Sequence, residues 1–205
     1  MKSEASKVLV ALMLAANVTT ASIAADQSDA NAQRDARNIV HSWPTDARKT
    51  AETAIQKYGQ PNEVTSERII WHNNGPWKHT IVTKEETDHA FPMPHKDVME
   101  QVIDYRVPPE KFDELAQYDG SVIAERTKGE LSARCDKEEA NFLALNLAND
   151  VVKGTKSVEQ AREYYAQAIK DLMAGKQDPY LQKLQFKQQR RTADADRPAR
   201  QASAE

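Results

Sequence analysis

One cysteine, Cys135, is all that the 205-residue chain has, so no intrachain disulfide can brace it. A surplus of positive charge is missing too: 28 Lys and Arg stand against 31 Asp and Glu, a formal net charge of −3. That balance argues against nucleic acid or an anionic membrane surface as partner, because both reward a basic face. The chain has no apolar run of the ~20 residues that a bilayer span requires. The longest, Val8 to Val18, is short and is interrupted by Asn17. Six glycines and nine prolines are few, and nearly all fall between periodic segments, where they act as punctuation. No internal repeat occurs, and no motif names an activity.

What is present at the start is an export signature. Lys2 and Lys7 give a modestly positive beginning, Val8 to Val18 an apolar stretch, and Ala21, Ser22, Ala24 and Ala25 a cluster of small residues. Residues 1–24 are therefore expected to be a signal peptide cut after Ala24, with a cut after Ala25 the close alternative. A soluble protein in the periplasm or outside the cell is expected, without an integral membrane segment once the signal is removed. Residues 25–43 read as a flexible leader and 44–182 as one domain, long enough to bury a core without staples. Residues 187–205, rich in Gln, Arg, Ala and Asp, read as a disordered polar tail.

Within the domain the periodicities are of two kinds. Ala47, Ala51, Ala54, Ile55 and Tyr58 recur at helical spacing and stop at Gly59 and Pro61. Arg68 to His72 and Trp77 to Val82 are β-prone runs joined by Asn73-Asn74-Gly75-Pro76, a hairpin pattern. Glu100 to Val107 predicts a further strand, stopped by Pro108-Pro109, and Glu110 to Gln117 a short helix. Ser121 to Thr127 and Glu130 to Cys135 flank Lys128-Gly129 as a second hairpin, with Leu131, Ala133 and Cys135 on one face. Asp136 and Glu139 predict a capping box for a helix ended by Gly154, whose Leu143-Leu147-Val151 stripe is the expected centre of the core. Ser157 opens a last helix that ends before Gly175. Grouped strands with helices before and after predict an α+β fold. Its antiparallel sheet would have about five strands, two hairpins plus one strand, packed against an N-terminal helix and a C-terminal antiparallel helix pair.

Several short segments together resemble a family of uncharacterised exported bacterial proteins, periplasmic or secreted. They are Tyr58-Gly59-Gln60-Pro61, Trp71 to Trp77 with its Gly75-Pro76-Trp77, Phe91-Pro92-Met93-Pro94-His95, Asp119-Gly120-Ser121 and Cys135-Asp136-Lys137-Glu138-Glu139-Ala140-Asn141. The likeness covers roughly residues 45 to 175. It implies a shared domain and an envelope setting, and it carries no catalytic role.

The histidines are the main chemical candidates. Closing the first hairpin at Asn74-Gly75 would set His72 opposite Trp77 and Ile70 opposite His79, making His72 and His79 diagonal neighbours on one face. The following loop adds Asp88, His89, His95 and Asp97, which by folding back to supply a third ligand to His72 and His79 would make a zinc site with an open position. The same region supports a binding patch: Trp77, His72 and His79 with Phe91, Met93 and His95, on a loop that Pro92 and Pro94 hold extended. By strand alternation Trp71 and Trp77 would lie on opposite faces, so that one would be covered by the Phe91 to His95 segment or else be free for a partner.

Other candidates favour structural roles. Cys135 precedes a helix N-terminus, which favours a thiolate, yet it is in phase with Leu131 and Ala133 and reads as a core side chain. Asp119-Gly120-Ser121 is first a turn. Asn146, Asn149 and Asp150 form a polar strip suited to anchoring backbone. Two functions result. One is a noncatalytic envelope module, with no cofactor and no catalytic residue, binding a protein, peptide or small ligand. The other is a metal-assisted hydrolase built on the histidines.

Overall fold

Apolar side chains at alternate positions along the strands, and at every third or fourth position along the helices, place one face of a sheet against helices. The computed structural model describes residues 36–198. The expected signal peptide and most of the leader lie outside the described residues, as do residues 199–205 of the tail. A helical segment over 36–41 leads into helix α1 (Thr45–Tyr58), which buries Ala47, Ala51, Ala54 and Ile55. Six strands follow in one antiparallel sheet: β1 (Glu63–Val64), β2 (Arg68–Asn74), β3 (Trp77–His89), β4 (His95–Asp104), β5 (Val122–Glu125) and β6 (Glu130–Cys135). Their spatial order is β1-β2-β3-β4-β6-β5. A short helix α2 (Phe112–Tyr118) lies between β4 and β5, and α3 (Glu138–Lys153) and α4 (Val158–Met173) close the fold. No described helix is long and apolar enough to cross a membrane.

The α+β architecture is as the sequence predicts, with the helix pair α3–α4 at the C-terminal end. Leu143, Leu147 and Val151 are fully buried at the centre of the larger core cluster, between the sheet, α2 and α4. A second cluster joins the 36–43 segment and α1 to Ile69, Trp71, Val82 and Met99. On the covered face of the sheet, Met99 pairs with Cys135, Gln101 with Ala133 and Ile103 with Leu131. On the opposite face Glu100 pairs with Arg134 and Val102 with Ser132.

Four details differ from the sequence reading. First, β1 adds a sixth strand, and β3 runs on to His89 while β4 begins at His95, five residues before Glu100. The added length is Lys84-Glu85-Glu86-Thr87-Asp88, which has no apolar alternation to reveal it, and from Thr87 on it pairs with β4 after a shift of register. Second, the hairpin loop is Gly75-Pro76, so Asn74 pairs with Trp77 and His72 lies directly opposite His79. Third, Trp77 is buried together with Thr80, three residues on, while Lys78 and His79 between them are half-exposed. Left-handed backbone at Asn73 (φ 53°) and Gly75 (φ 64°) turns the hairpin end and breaks the alternation there. Fourth, the Asp136/Glu139 capping box does not form: Lys137 is the N-cap of α3, without a side-chain cap, and Glu138 turns into the interior. The box appears instead on α4, between Ser157 and Gln160.

Residues 187–198 contain no helix or strand, and they run past the β2–β3 and β5–β6 turns, touching Pro76, Arg106 and Thr127. Thr192 is buried, and its carbonyl carbon stands 2.1 Å from where a Cβ on Gly129 would be, so only glycine fits that turn. Arg126 meets Asp194 and Asp196 beside it.

The polar strip of α3 does anchor backbone. Asn146 Nδ2 donates to the carbonyls of Tyr180 and Lys183 at 3.0 and 2.9 Å, and its Oδ1 accepts from the Gln185 amide at 2.7 Å. Asn146→Ala would leave these buried groups short of partners, at about 1–3 kcal/mol. Denaturant unfolding should register that loss, and limited proteolysis should find new cuts near residues 180–185.

Candidate metal centre

Strand pairing builds the site. At the far end of the β3–β4 hairpin His89 pairs directly with His95, which brings the two imidazoles to 4.9 Å between centroids. Asp97 lies two residues beyond His95, so it points to the same face, in line with Met99 and Gln101 under the helices. The turn before β5 closes the third side with Asp119 and Ser121, both buried. His89, His95 and Asp97 each offer one ligand atom, and these atoms all lie within 4.8 Å of one another.

His95 and Asp97 are each held by a hydrogen bond at the outer end, and His89 lies beside Asp119. His95 Nδ1 sits 2.9 Å from the Met93 carbonyl oxygen, to which it can only donate, so Nε2 is the atom that faces Asp97. His89 turns Nε2 toward Asp119 Oδ1 at 3.5 Å and Nδ1 toward Asp97 Oδ2, also at 3.5 Å. Ser121 Oγ donates to Asp97 Oδ2 and lies 3.3 Å from His89 Nδ1. Asp119 is itself fixed by the Ser121 amide, which donates to Oδ1 at 2.8 Å. His95 Nε2 and Asp97 Oδ1 are 3.2 Å apart, out of hydrogen-bond alignment, and both are buried without a hydrogen-bond partner.

The electrostatics follow from these contacts. Asp97, with Cys135 second, holds the His95 imidazole far above its ordinary value, at about 11, against the opposing effect of burial. Burial pushes the Asp97 carboxyl up, but His95 and Ser121 outweigh it and the net shift is downward. Burial dominates at Asp119 and raises it. His95 and Asp97 thus form an ion pair that an arriving cation must displace.

The remaining sequence candidates separate. His72 and His79 sit near the opposite end of β3. Ten residues of strand, at ~3.3 Å each, put them about 30 Å from His89, so none of His89, His95 and Asp97 joins them as a third ligand. Trp77 is 1 % exposed, its ring 4.7 Å from Phe142 and its Nε1 donating to Glu138 at 2.7 Å, so it is no surface anchor. Trp71 is buried as well, donating to the Gly59 carbonyl. Phe91 packs on Tyr165 and under the Arg162 guanidinium, while Met93 is exposed. The expected patch therefore does not exist as one surface. Met93, Pro92, Pro94 and His95 line a cavity of about 390 Å³ with Cys135 and Tyr165. Cys135 is buried, and burial pushes its thiol up, in keeping with a core side chain.

Asp119 and Ser121 belong to the centre although the sequence marks them only as a turn. They stand 24 or more residues from the ligands they hold, and no spacing rule connects them. The chain matches no protein-family model, no curated protein and no solved structure.

Proposed function

We propose that this is a noncatalytic metal-binding protein of the bacterial envelope that holds a divalent transition ion at His89, His95 and Asp97. The observation that carries the reading is the cluster itself: His89, His95 and Asp97 each bring one ligand atom within 4.8 Å of the others, and His95 Nε2 and Asp97 Oδ1 are buried without a hydrogen-bond partner. Two ligands at 2.0–2.1 Å from a tetrahedral zinc lie about 3.3–3.4 Å apart. The His95 Nε2–Asp97 Oδ1 separation of 3.2 Å is close to that spacing. Outer partners, such as those of His95 and Asp97, are the usual means of fixing tautomer and orientation in such centres. Asp119, the carboxylate nearest His89, and Ser121 are engaged in that support and not free to activate a water, which favours binding over hydrolysis. The setting rests on the export signal read in residues 1–24.

The test is titration of the purified, chelator-treated protein with Zn(II), and with Co(II) as an optical probe. One tight equivalent and a tetrahedral Co(II) spectrum are expected. His95→Ala should weaken binding by more than the ~10–100-fold that loss of an outer partner costs, with Ser121→Ala inside that range. A protein that takes up no ion, or a His95→Ala variant that binds as well as the parent, would overturn the reading.

A further inference from the structure

The open face of the sheet carries a second arrangement of a different kind. His72 and His79 are directly paired across β2 and β3, with rings 5.0 Å apart and nearly perpendicular. Their Nδ1 atoms face each other at 2.9 Å. On the far side of the His72 ring Nε2 lies 2.6 Å from Glu63 Oε1, on the neighbouring strand β1. The backbone beneath is pinned, since the His72 amide donates to Asn62 Oδ1 at 2.7 Å. Both histidines are half-exposed.

We propose that His72 and His79 form a separate, solvent-facing chelate for a divalent ion of tetragonal preference, Cu(II) or Ni(II), bound through the two Nδ1 atoms. Two nitrogens at ~2.0–2.1 Å from an ion and at right angles to each other lie about 2.8–3.0 Å apart. The observed separation of 2.9 Å matches that square-planar edge and is shorter than the tetrahedral edge of the inner centre. The Glu63 carboxylate accepts the Nε2–H of His72 and so presents the Nδ1 lone pair inward, the carboxylate–histidine–metal relay common to metal sites. Two rigid paired strands hold the ligands, so little side-chain freedom is lost on binding. Water supplies the remaining positions, because only two protein ligands face the ion. Copper heads the order of intrinsic affinity for nitrogen ligands, and its tetragonal preference suits the edge. The site is independent of the inner centre, about 30 Å away along β3.

The alternative occupant is a single shared proton, Nδ1–H of one ring donating to Nδ1 of the other. The experiment is Cu(II) titration of the full protein with the inner centre first filled by Zn(II), followed by electron paramagnetic resonance. One further equivalent with an axial spectrum and superhyperfine splitting from two imidazole nitrogens is expected. His79→Asn should lose the two-nitrogen spectrum and weaken uptake at least about 10-fold. Glu63→Gln should weaken it by about 10-fold and keep the spectrum. The double variant His95→Ala/Asp97→Asn should retain this signal, and that separates the site from the inner centre. The proposal is overturned by unchanged uptake in His79→Asn, by a one-nitrogen spectrum, or by loss of the signal when the inner centre is removed.

Discussion

Trp77→Ala should lower the unfolding free energy by about 3–5 kcal/mol, the range for emptying a well-packed aromatic site. The indole stacks at 4.7 Å on Phe142 of α3 and is 1 % exposed, so its removal leaves a cavity that the sheet and helix cannot close together. A second loss adds to it. Nε1 donates to Glu138 Oε1, and a buried carboxylate deprived of a donor bears the cost of its own desolvation. Trp77→Phe separates the two, since it keeps most of the packing and removes only the N–H; about 1–3 kcal/mol is expected for it. Denaturant unfolding of both variants gives the measurement. A Trp77→Ala loss below about 1 kcal/mol would mean that the indole is not part of the core.

Trp77 also marks where the sequence stops being legible. Alternation from Arg68 to Val82 assigns faces correctly at Ile69, Trp71, Thr80 and Val82 because regular pleating carries them. At the hairpin tip two left-handed residues, Asn73 and Gly75, rotate the chain, and period-two counting cannot follow. The helices are legible for the opposite reason: Ala47-Ala51-Ala54 and Leu143-Leu147-Val151 repeat through uninterrupted turns, so nothing local perturbs the phase. The far half of β3 is hidden by composition. Lys84 to Asp88 are charged or polar on both sides, and no apolar alternation marks them as strand; Thr87 and Asp88 pair with β4.

The metal centre depends on that hidden pairing. His95 and Asp97, two apart, would share a face in any strand, but the apolar signal that marks β4 starts only near Glu100. Once His89 pairs with His95 the three ligands follow from backbone geometry alone. Asp119 and Ser121 follow from none of it. They are delivered by the β5–β6 hairpin, whose second strand pairs with β4, and so they depend on the assembled sheet.

Glu138→Ala should cost roughly 2–5 kcal/mol at neutral pH, because it strands two buried donors at once. The carboxylate takes hydrogen bonds from Trp77 Nε1 at 2.7 Å and Tyr58 Oη at 2.6 Å, and it meets the Lys57 ammonium on its outer side. Lys57 is 52 % exposed and returns to water when freed, so the loss comes from the indole and phenol and little from the ion pair. The effect should depend on pH in a definite sense. Burial raises the Glu138 carboxyl, yet Lys57, Tyr58 and Trp77 more than offset it, so the folded-state value lies below the ordinary one. Its contribution is then fully present above the unfolded value of about 4.3 and disappears as pH falls through the lower, folded value. The gap between parent and Glu138→Ala should therefore stay constant from about pH 8 to pH 5 and narrow below about pH 4. Unfolding free energies by denaturant at pH 7 and pH 3 measure it. A gap that does not change between those two pH values would show that the Glu138 charge does not support the interface of α1, α3 and the sheet.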